Sequence, residues 1–362
     1  EAKHIANSDI SSSGNVGTSV IDIYAGASML TPGADLITMT GRIEHQVINT
    51  TGFDLRGNAL EQDITKTYYD LGLEIGTDVQ IISNLAYGIH DRTSGSTIKN
   101  YEVIEGSRSF VDTQVISYLL YDRYGNAEHQ TIDTYDSDTA LTDEFLTSKK
   151  DIVNTYGEIT VELPGGGTET RSEAFARKHG SALTTTSRET DKNDAFIQES
   201  VTESTLFDIR GNAIDQTTDK TVADSSGVEL LTTRTFIHNE NINARGDAAV
   251  QTITTQTTDD TGLETTLMVT SYQVMTNRRF DGRHNVMNQM SYNYDVKDGE
   301  LLDISEIRSA GHTSSGVAKV QDVVTFDANG VDVIESKHIV NSSISSSGNV
   351  GVSTIDIYTG AS

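Results

Sequence analysis

Apolar and polar residues alternate along most of the chain with a period of two. Residues 228–237 read VELLTTRTFI and 251–258 read QTITTQTT, the pattern of strands with one covered face and one hydroxylated, solvent-facing one. Turn signals interrupt the alternation at short intervals along most of the chain. No run of about 18 apolar residues occurs, so no helix of this sequence is expected to span a membrane. The pattern predicts an all-β chain: a repetitive antiparallel β meander of hairpin repeats with about 20 long strands per period. Its reversals alternate between two edges, giving an elongated, fibre-like stack. Turns at both edges leave no interior segment to build a cleft.

One segment competes with this reading. Thr170-Arg171-Ser172-Glu173 has the form of a capping box, and Gly180 would end a helix running through Lys178. Alternatively, Phe175 to Leu183 is a degenerate copy of Phe53 to Leu60 with one residue inserted. The strand reading is preferred because repeat copies flank the segment on both sides. The loop 163–167, Leu-Pro-Gly-Gly-Gly, precedes it.

A short motif recurs at the turns: FDLRGNALEQ from Phe53, YDRYGNAEHQ from Tyr121, FDIRGNAIDQ from Phe207, NARGDAAVQ from Asn243, FDGRHNVMNQ from Phe280 and a worn FDANGVD from Phe326. Its Asp accepts backbone N–H bonds, and Gly57, Gly125, Gly211, Gly246 or Gly330 supplies the left-handed residue of a type I turn closed by a bulge. His284 stands where the others have Gly, which predicts a strained or re-registered turn there. Gln62, Gln130, Gln216, Gln251 and Gln289 follow the turn position by five residues. They are read as a ladder of side-chain amides linking copies, with a ligand-binding row as the alternative. Second turns fall at Asp70-Leu71-Gly72, Ser225-Ser226-Gly227, Asp260-Thr261-Gly262 and Lys297-Asp298-Gly299.

A much longer period encloses this one. Residues 3–28 (KHIANSDISSSGNVGTSVIDIYAGAS) and 337–362 (KHIVNSSISSSGNVGVSTIDIYTGAS) are identical at 21 of 26 positions, offset by 334. The sequence therefore reads as one period and a short overlap from a tandem array. It divides into a strand-rich segment (1–52), hairpin repeats (53–162), a Gly-rich loop with a degenerate repeat (163–206), hairpin repeats (207–336) and the start of the next period (337–362). Neighbouring periods, met end to end, are the expected partners.

Composition narrows the functional classes. Of 362 residues, 47 are Thr and 35 Ser, with no Cys and no Trp, so disulfide frameworks and thiolate metal sites are excluded. A net charge of −27 argues against nucleic acid, which requires a basic face. No HExxH, GxSxG, P-loop or post-strand GxGxxG motif is present, and the nine His lie at no ligand spacing, so no enzymatic activity is expected. Asp136, Asp138, Asp259 and Asp260 are candidates for Ca2+ through oxygen ligands; the plainer reading makes them turn residues and solubilising charge. No other cofactor is expected. Sequons at Asn49 and Asn341, with abundant hydroxyls, suggest a glycan coat.

The pairs Phe53-Asp54, Tyr69-Asp70, Tyr121-Asp122, Phe207-Asp208 and Tyr294-Asp295 resemble the YD repeats of Rhs-type bacterial surface proteins and of very long bacterial repeat proteins. The resemblance covers about residues 53–335 and implies an all-β, secreted or surface-exposed structural protein. The spacing departs from the family pattern: the interval from Gly57 to Gly125 is nearly twice that from Gly211 to Gly246. That irregularity places the closed shell of the family in question. The expected function is one period of an extracellular or cell-surface filament, stalk or matrix fibre, and the alternative is an adhesin or carbohydrate-binding surface on the same repeats.

Overall fold

The structure is a computed structural model that describes residues 2–29, 37–259, 266–313, 315–344 and 348–358. Its strands begin with β1 (Ala2–Ile10), β2 (Val16–Met29), β3 (Ile37–Phe53), β4 (Ala59–Asp70), β5 (Leu73–Asn84), β6 (Gly95–Ile104), β7 (Ser107–Tyr121), β8 (Ala127–Tyr135) and β9 (Leu146–Thr155). A side excursion follows: β10 (Ile159–Glu162), β11 (Thr168–Arg171) and the helix α1 (Glu173–His179). The meander resumes with β12 (Thr184–Thr190), β13 (Phe196–Phe207), β14 (Ala213–Ala223), β15 (Glu229–Ile242), β16 (Ala248–Thr257) and β17 (Met268–Phe280). It ends with β18 (Val286–Tyr294), β19 (Leu301–His312), β20 (Ala318–Asp327), β21 (Val333–Ile344) and β22 (Val350–Tyr358).

The 22 strands form one sheet that does not close on itself. It is an antiparallel meander, apart from a short parallel pairing of β10 with the end of β13. Strands pair with their sequence neighbours, as short reversals dictate. The exception is the excursion, which β9 bypasses by pairing directly with β12. Thr-rich strands such as β12 and β16 suit this sheet because β-branched side chains pack on a half-covered pleat.

The segment expected to be a degenerate strand is instead the helix α1. Ser172 caps it by accepting the Phe175 N–H, and Gly180 ends it at φ 70°. Tertiary burial decides the contest between the two readings. The β10–β11 hairpin and α1 cover the end of β13, and Ile159, Val161, Ala176 and Phe207 form a buried apolar cluster. A strand copy at this position would leave Phe207 uncovered.

The sheet also curls, so distant strands meet face to edge. Arg283, in the turn between β17 and β18, lies 2.6 Å from Asp78 of β5 and stacks over Tyr68 of β4 at 4.3 Å. Lys319 of β20 reaches Glu102 of β6 at 2.9 Å, and Arg279 reaches Asp70 at 3.1 Å. Gly282 permits the approach, since a Cβ there would sit 2.7 Å from the Ile43 carbonyl oxygen.

The two end hairpins are congruent. In β1–β2, Lys3 faces Ile23, Asn7 faces Ser19 and Ile10 faces Val16. In β21–β22, Lys337 faces Ile357, Asn341 faces Ser353 and Ile344 faces Val350, the same register one period later. Asp9 and Ser343 both take φ 52°, and Gly14 and Gly348 take 87° and 85°. The final stretch of the second copy, 359–362, lies outside the described residues.

Candidate functional site

The repeated turns are built by their first Asp. Asp54 Oδ1 accepts the N–H groups of Arg56 and Asn58, each at 2.8 Å, while its Oδ2 accepts Asn58 Nδ2 at 2.9 Å. Asp122, Asp208 and Asp281 repeat the arrangement with Asn126, Asn212 and Asn285. In the fourth copy the partners exchange roles: Asn243 accepts from the backbone and donates Nδ2 to Asp247 at 3.0 Å. Gly57, Gly125, Gly211, Gly246 and Gly330 all have positive φ, from 72° to 100°. His284 takes φ 68° in the same place, held by Nδ1 contact with Asp247 at 2.6 Å. Burial alone would push the Asp122 carboxyl up, but hydrogen bonds from Asn126, Arg177 and the turn backbone outweigh it and hold it at about 2. Asp208 and Asp281 are lowered in the same way against their own burial. Asp54 is lowered chiefly by the Asn58 amide. At the second set of turns, Leu71, Gly72, Gly227 and Asp298 also take positive φ, and 260–262 lies outside the described residues.

The Asp-Asn turns lie on one edge of the sheet, and each is fastened to the next. Arg56 donates to the Tyr87 carbonyl at 3.1 Å, and Arg92 to that of Arg123 at 2.8 Å. Asn126 donates to the carbonyl of Arg177 at 2.7 Å, and Ser181 to that of Gly211 at 2.9 Å. Arg210 then reaches Ile242 at 2.6 Å, Arg245 reaches Gly282 at 2.9 Å and Arg283 reaches His312 at 2.7 Å. The result is a row of latches from Arg56 to His312 in which α1 replaces one turn. Its Arg177 bridges Asp122 at 3.0 Å and Glu173 at 2.7 Å and also contacts Glu128. Where an Arg directly precedes the turn position (Arg56, Arg210, Arg245 and Arg283) it is the coupling residue, a role that sequence reading assigned to no residue. The recurring Arg-Gly pair was its signal.

The glutamines bond first within their own hairpins. Gln62 donates to Thr50 at 3.3 Å, Gln216 to Ser204 at 3.3 Å, Gln251 to Asn239 at 2.9 Å and Gln289 to Asn277 at 2.9 Å. Each partner lies 12 residues upstream in the same hairpin, not in the neighbouring copy. Gln130 faces Tyr118, where the amide column breaks. Asparagines carry the connection onward: Asn277 donates to both the Ala248 carbonyl and Gln251 Oε1, at 3.0 and 2.9 Å. Asn84, Asn154, Asn239 and Asn341 likewise donate to the carbonyls of Ala59, Ala127, Ala213 and Ala318. Each alanine stands two residues after a turn glycine, so the Asn satisfies a carbonyl just as its strand begins. The same interval pairs residues that sequence reading missed: Gln321 with Ser309 at 3.2 Å, Ser19 with Asn7 at 2.8 Å and Ser353 with Asn341 at 2.8 Å.

The remaining candidates are scattered. Asn49 accepts from Thr18 at 3.2 Å, and the Asn341 amide is engaged by Ala318 and Ser353. Asp136 and Asp138 lie in the loop between β8 and β9, Asp259 follows β16, and Asp260 falls outside the described residues. Among the described residues, no three His, Asp or Glu side chains are grouped to hold a metal. The expectation that the meander forms no cleft is corrected by the curl of the sheet. A cavity of about 600 Å³ opens between β3–β7 and the turn at 281–284, lined by Glu44, Tyr68, Asp78, Asn100, Asp112 and Arg283. It arises from contact between layers, not from a segment released from the sheet.

No protein-family model matches the chain, and no curated protein sequence matches it. Two solved assemblies are similar over most of its length. The crystal structure of TcdB2-TccC3 matches at 12% identity and a TM-score of 0.21, over 93% of this chain and 22% of that one. The Photorhabdus luminescens Tc holotoxin pore carrying TccC3-D651A matches at 10% identity and a TM-score of 0.13, over 91% and 24%. The chain thus spans less than a quarter of the length of either. Superpositions this loose align no individual residues.

Proposed function

We propose that this β-repeat chain is one period of a non-catalytic, extracellular structural array of the YD-repeat kind: a filament, stalk or matrix fibre. The congruence of the two end hairpins carries this reading, since equal sequence in equal register one period apart is how a solenoid-like array repeats its neighbours. The latched edge supports it, because a row of turns fastened to one another stiffens a sheet without forming a catalytic centre. Net charge of −27 keeps such a polymer hydrated and apart from its copies. A chain of two covalent periods tests the proposal by small-angle scattering. Its maximum dimension should rise by a constant increment per added period. A compact two-period particle of unchanged length contradicts it.

The cleft favours a second reading, a carbohydrate-binding surface. Tyr101 and the amides of Asn100, Gln80 and Gln114 line it beside Glu44 and Asp112, and a sugar takes such mixed polar and aromatic walls. A glycan array with the intact chain separates the readings: signals abolished by Tyr101→Ala favour the adhesin, and a blank array favours the structural role.

A further inference from the structure

The layers that the curl brings together are joined by charge, with the signs sorted between them. Arg279 of β17, Arg283 of the 281–284 turn and Lys319 of β20 meet Asp70 of β4, Asp78 of β5 and Glu102 of β6. The side chains of Arg283 and Asp78 are only 10% and 15% exposed, so this pair gives up most of its hydration to form. Those of Arg279 and Lys319 are both 42% exposed, where an ion pair is weak and yields to salt. Apolar burial adds little. Tyr68, stacked beneath Arg283, and Met287 are the large buried side chains at the contact. Two voids accompany them: the cavity of about 600 Å³ at the turn, and another of about 580 Å³ between Asp70 and Ile75 on one layer and Met287 and Ala310 on the other. A close-packed apolar contact leaves few spaces larger than a water molecule. The excursion, by contrast, is held on the end of β13 by the apolar cluster of Ile159, Val161, Ala176 and Phe207. Arg283 is also incompletely matched. Its two Nη atoms donate to Asp78 and to the His312 carbonyl, while its buried Nε has no hydrogen-bond partner among the described residues.

We infer that this contact is an electrostatic clasp that opens as salt rises, giving the chain a curled form and an uncurled form with the same paired strands. The clasp acts within one chain, whatever array that chain belongs to. Opening it breaks no backbone ladder. β5 bonds to β4 and β6, and β18 bonds to β17 and β19, so neither layer borrows a strand from the other. The sign of the salt effect follows from distance. The screening length is about 10 Å at 0.1 M and about 3 Å at 1 M ionic strength. Repulsion among the excess acidic groups, which favours the open form, is therefore largely screened by about 0.1 M. Added salt beyond that point acts mainly on pairs in contact, and those favour the closed form. The half-exposed Lys319 and Arg279 pairs weaken first, leaving the Arg283–Asp78 pair to hold the layers alone against its own desolvation.

The absence of Cys allows two spin labels to be placed at will on the full chain. Ser107→Cys on β7 and Leu302→Cys on β19 are exposed sites, one on each layer. Double electron–electron resonance then reads the distance between layers, and circular dichroism follows the strands in the same samples. Raising NaCl from about 0.1 M to about 1 M should increase a longer-distance population roughly fivefold while the strand signal stays constant. Sodium sulfate at equal ionic strength should do the same, although it strengthens apolar contacts. Lys319→Glu should populate the longer distance already at low salt, and adding Glu102→Lys to it should restore the short one. Arg279→Glu with Asp70→Lys is a second charge exchange, should the first pair fold poorly. Three results overturn the clasp: a distance distribution indifferent to NaCl, a shortening in sulfate alone, or opening that coincides with loss of the strand signal. Charge exchange that fails to restore the short distance in both pairs, with strands intact, contradicts it equally.

Discussion

Asp122 shows how much one residue of this protein organises. It accepts from three backbone N–H groups of its turn and from the side chains of Asn126 and Arg177. Its carboxyl is held at about 2 in the fold, below its ordinary value of 3.8. A depressed folded value means that the stabilising effect is complete above the unfolded value of 3.8 and lost as pH falls through about 2. Acid unfolding followed by circular dichroism should begin within that window, and Asp122→Asn should flatten the transition. Glycines test the turn geometry separately. Gly211 has φ 88° and an added Cβ would strike Ser181 Oγ and lie 2.7 Å from His179 Cβ, whereas at Gly227, with φ 80°, nothing lies within 4 Å. Gly227→Ala should cost about 1 kcal/mol from backbone strain alone, and Gly211→Ala roughly 1–2 kcal/mol more, measured by urea unfolding. The positions of these turns were legible in the sequence because Asp, Gly and Asn carry their conformational preference locally. The roles of Arg56, Arg210 and Arg245 were not, because each acts on a carbonyl in the next turn, far along the chain.

Among the elements, the edge and the amide column should respond differently to mutation. The latch of Arg210 to Ile242 is solvent-exposed, so Arg210→Ala should cost only about 0.5–1 kcal/mol. Its signature is local: faster amide exchange in the 243–247 turn and little change elsewhere. Asn277 is buried and joins Ala248, Gln251 and Gln289, so Asn277→Leu strands three polar groups. That change should cost about 2–4 kcal/mol and lower the melting temperature of the whole unit. The alternation of apolar and polar residues specified the strands, and the short turns between them specified their pairing by sequence neighbour. The helix α1 illustrates what alternation cannot supply. Its capping residues were readable, yet its formation depends on covering Phe207, Ile159 and Val161 from a side excursion. Nothing in the local sequence announces that β9 pairs with β12 across that whole excursion.

At the scale of the molecule, the curl is the feature furthest from the sequence. Arg283 and Asp78 meet across 205 residues, and no motif connects them. Asp78→Asn should loosen the contact between layers, seen as increased amide exchange along β4, β5 and the 281–284 turn. What the sequence did reveal was the long period, because duplication leaves identical residues whatever the fold. The structure adds that the copies share a register. The central claim, that this chain is a period of a continuous polymeric sheet, is tested most directly by cryo-electron microscopy of the wild-type protein at high concentration. The account predicts uniform filaments in which backbone hydrogen bonding, with its ~4.8 Å strand spacing, runs unbroken through every junction between periods. Monodisperse single particles at the same concentration would contradict it.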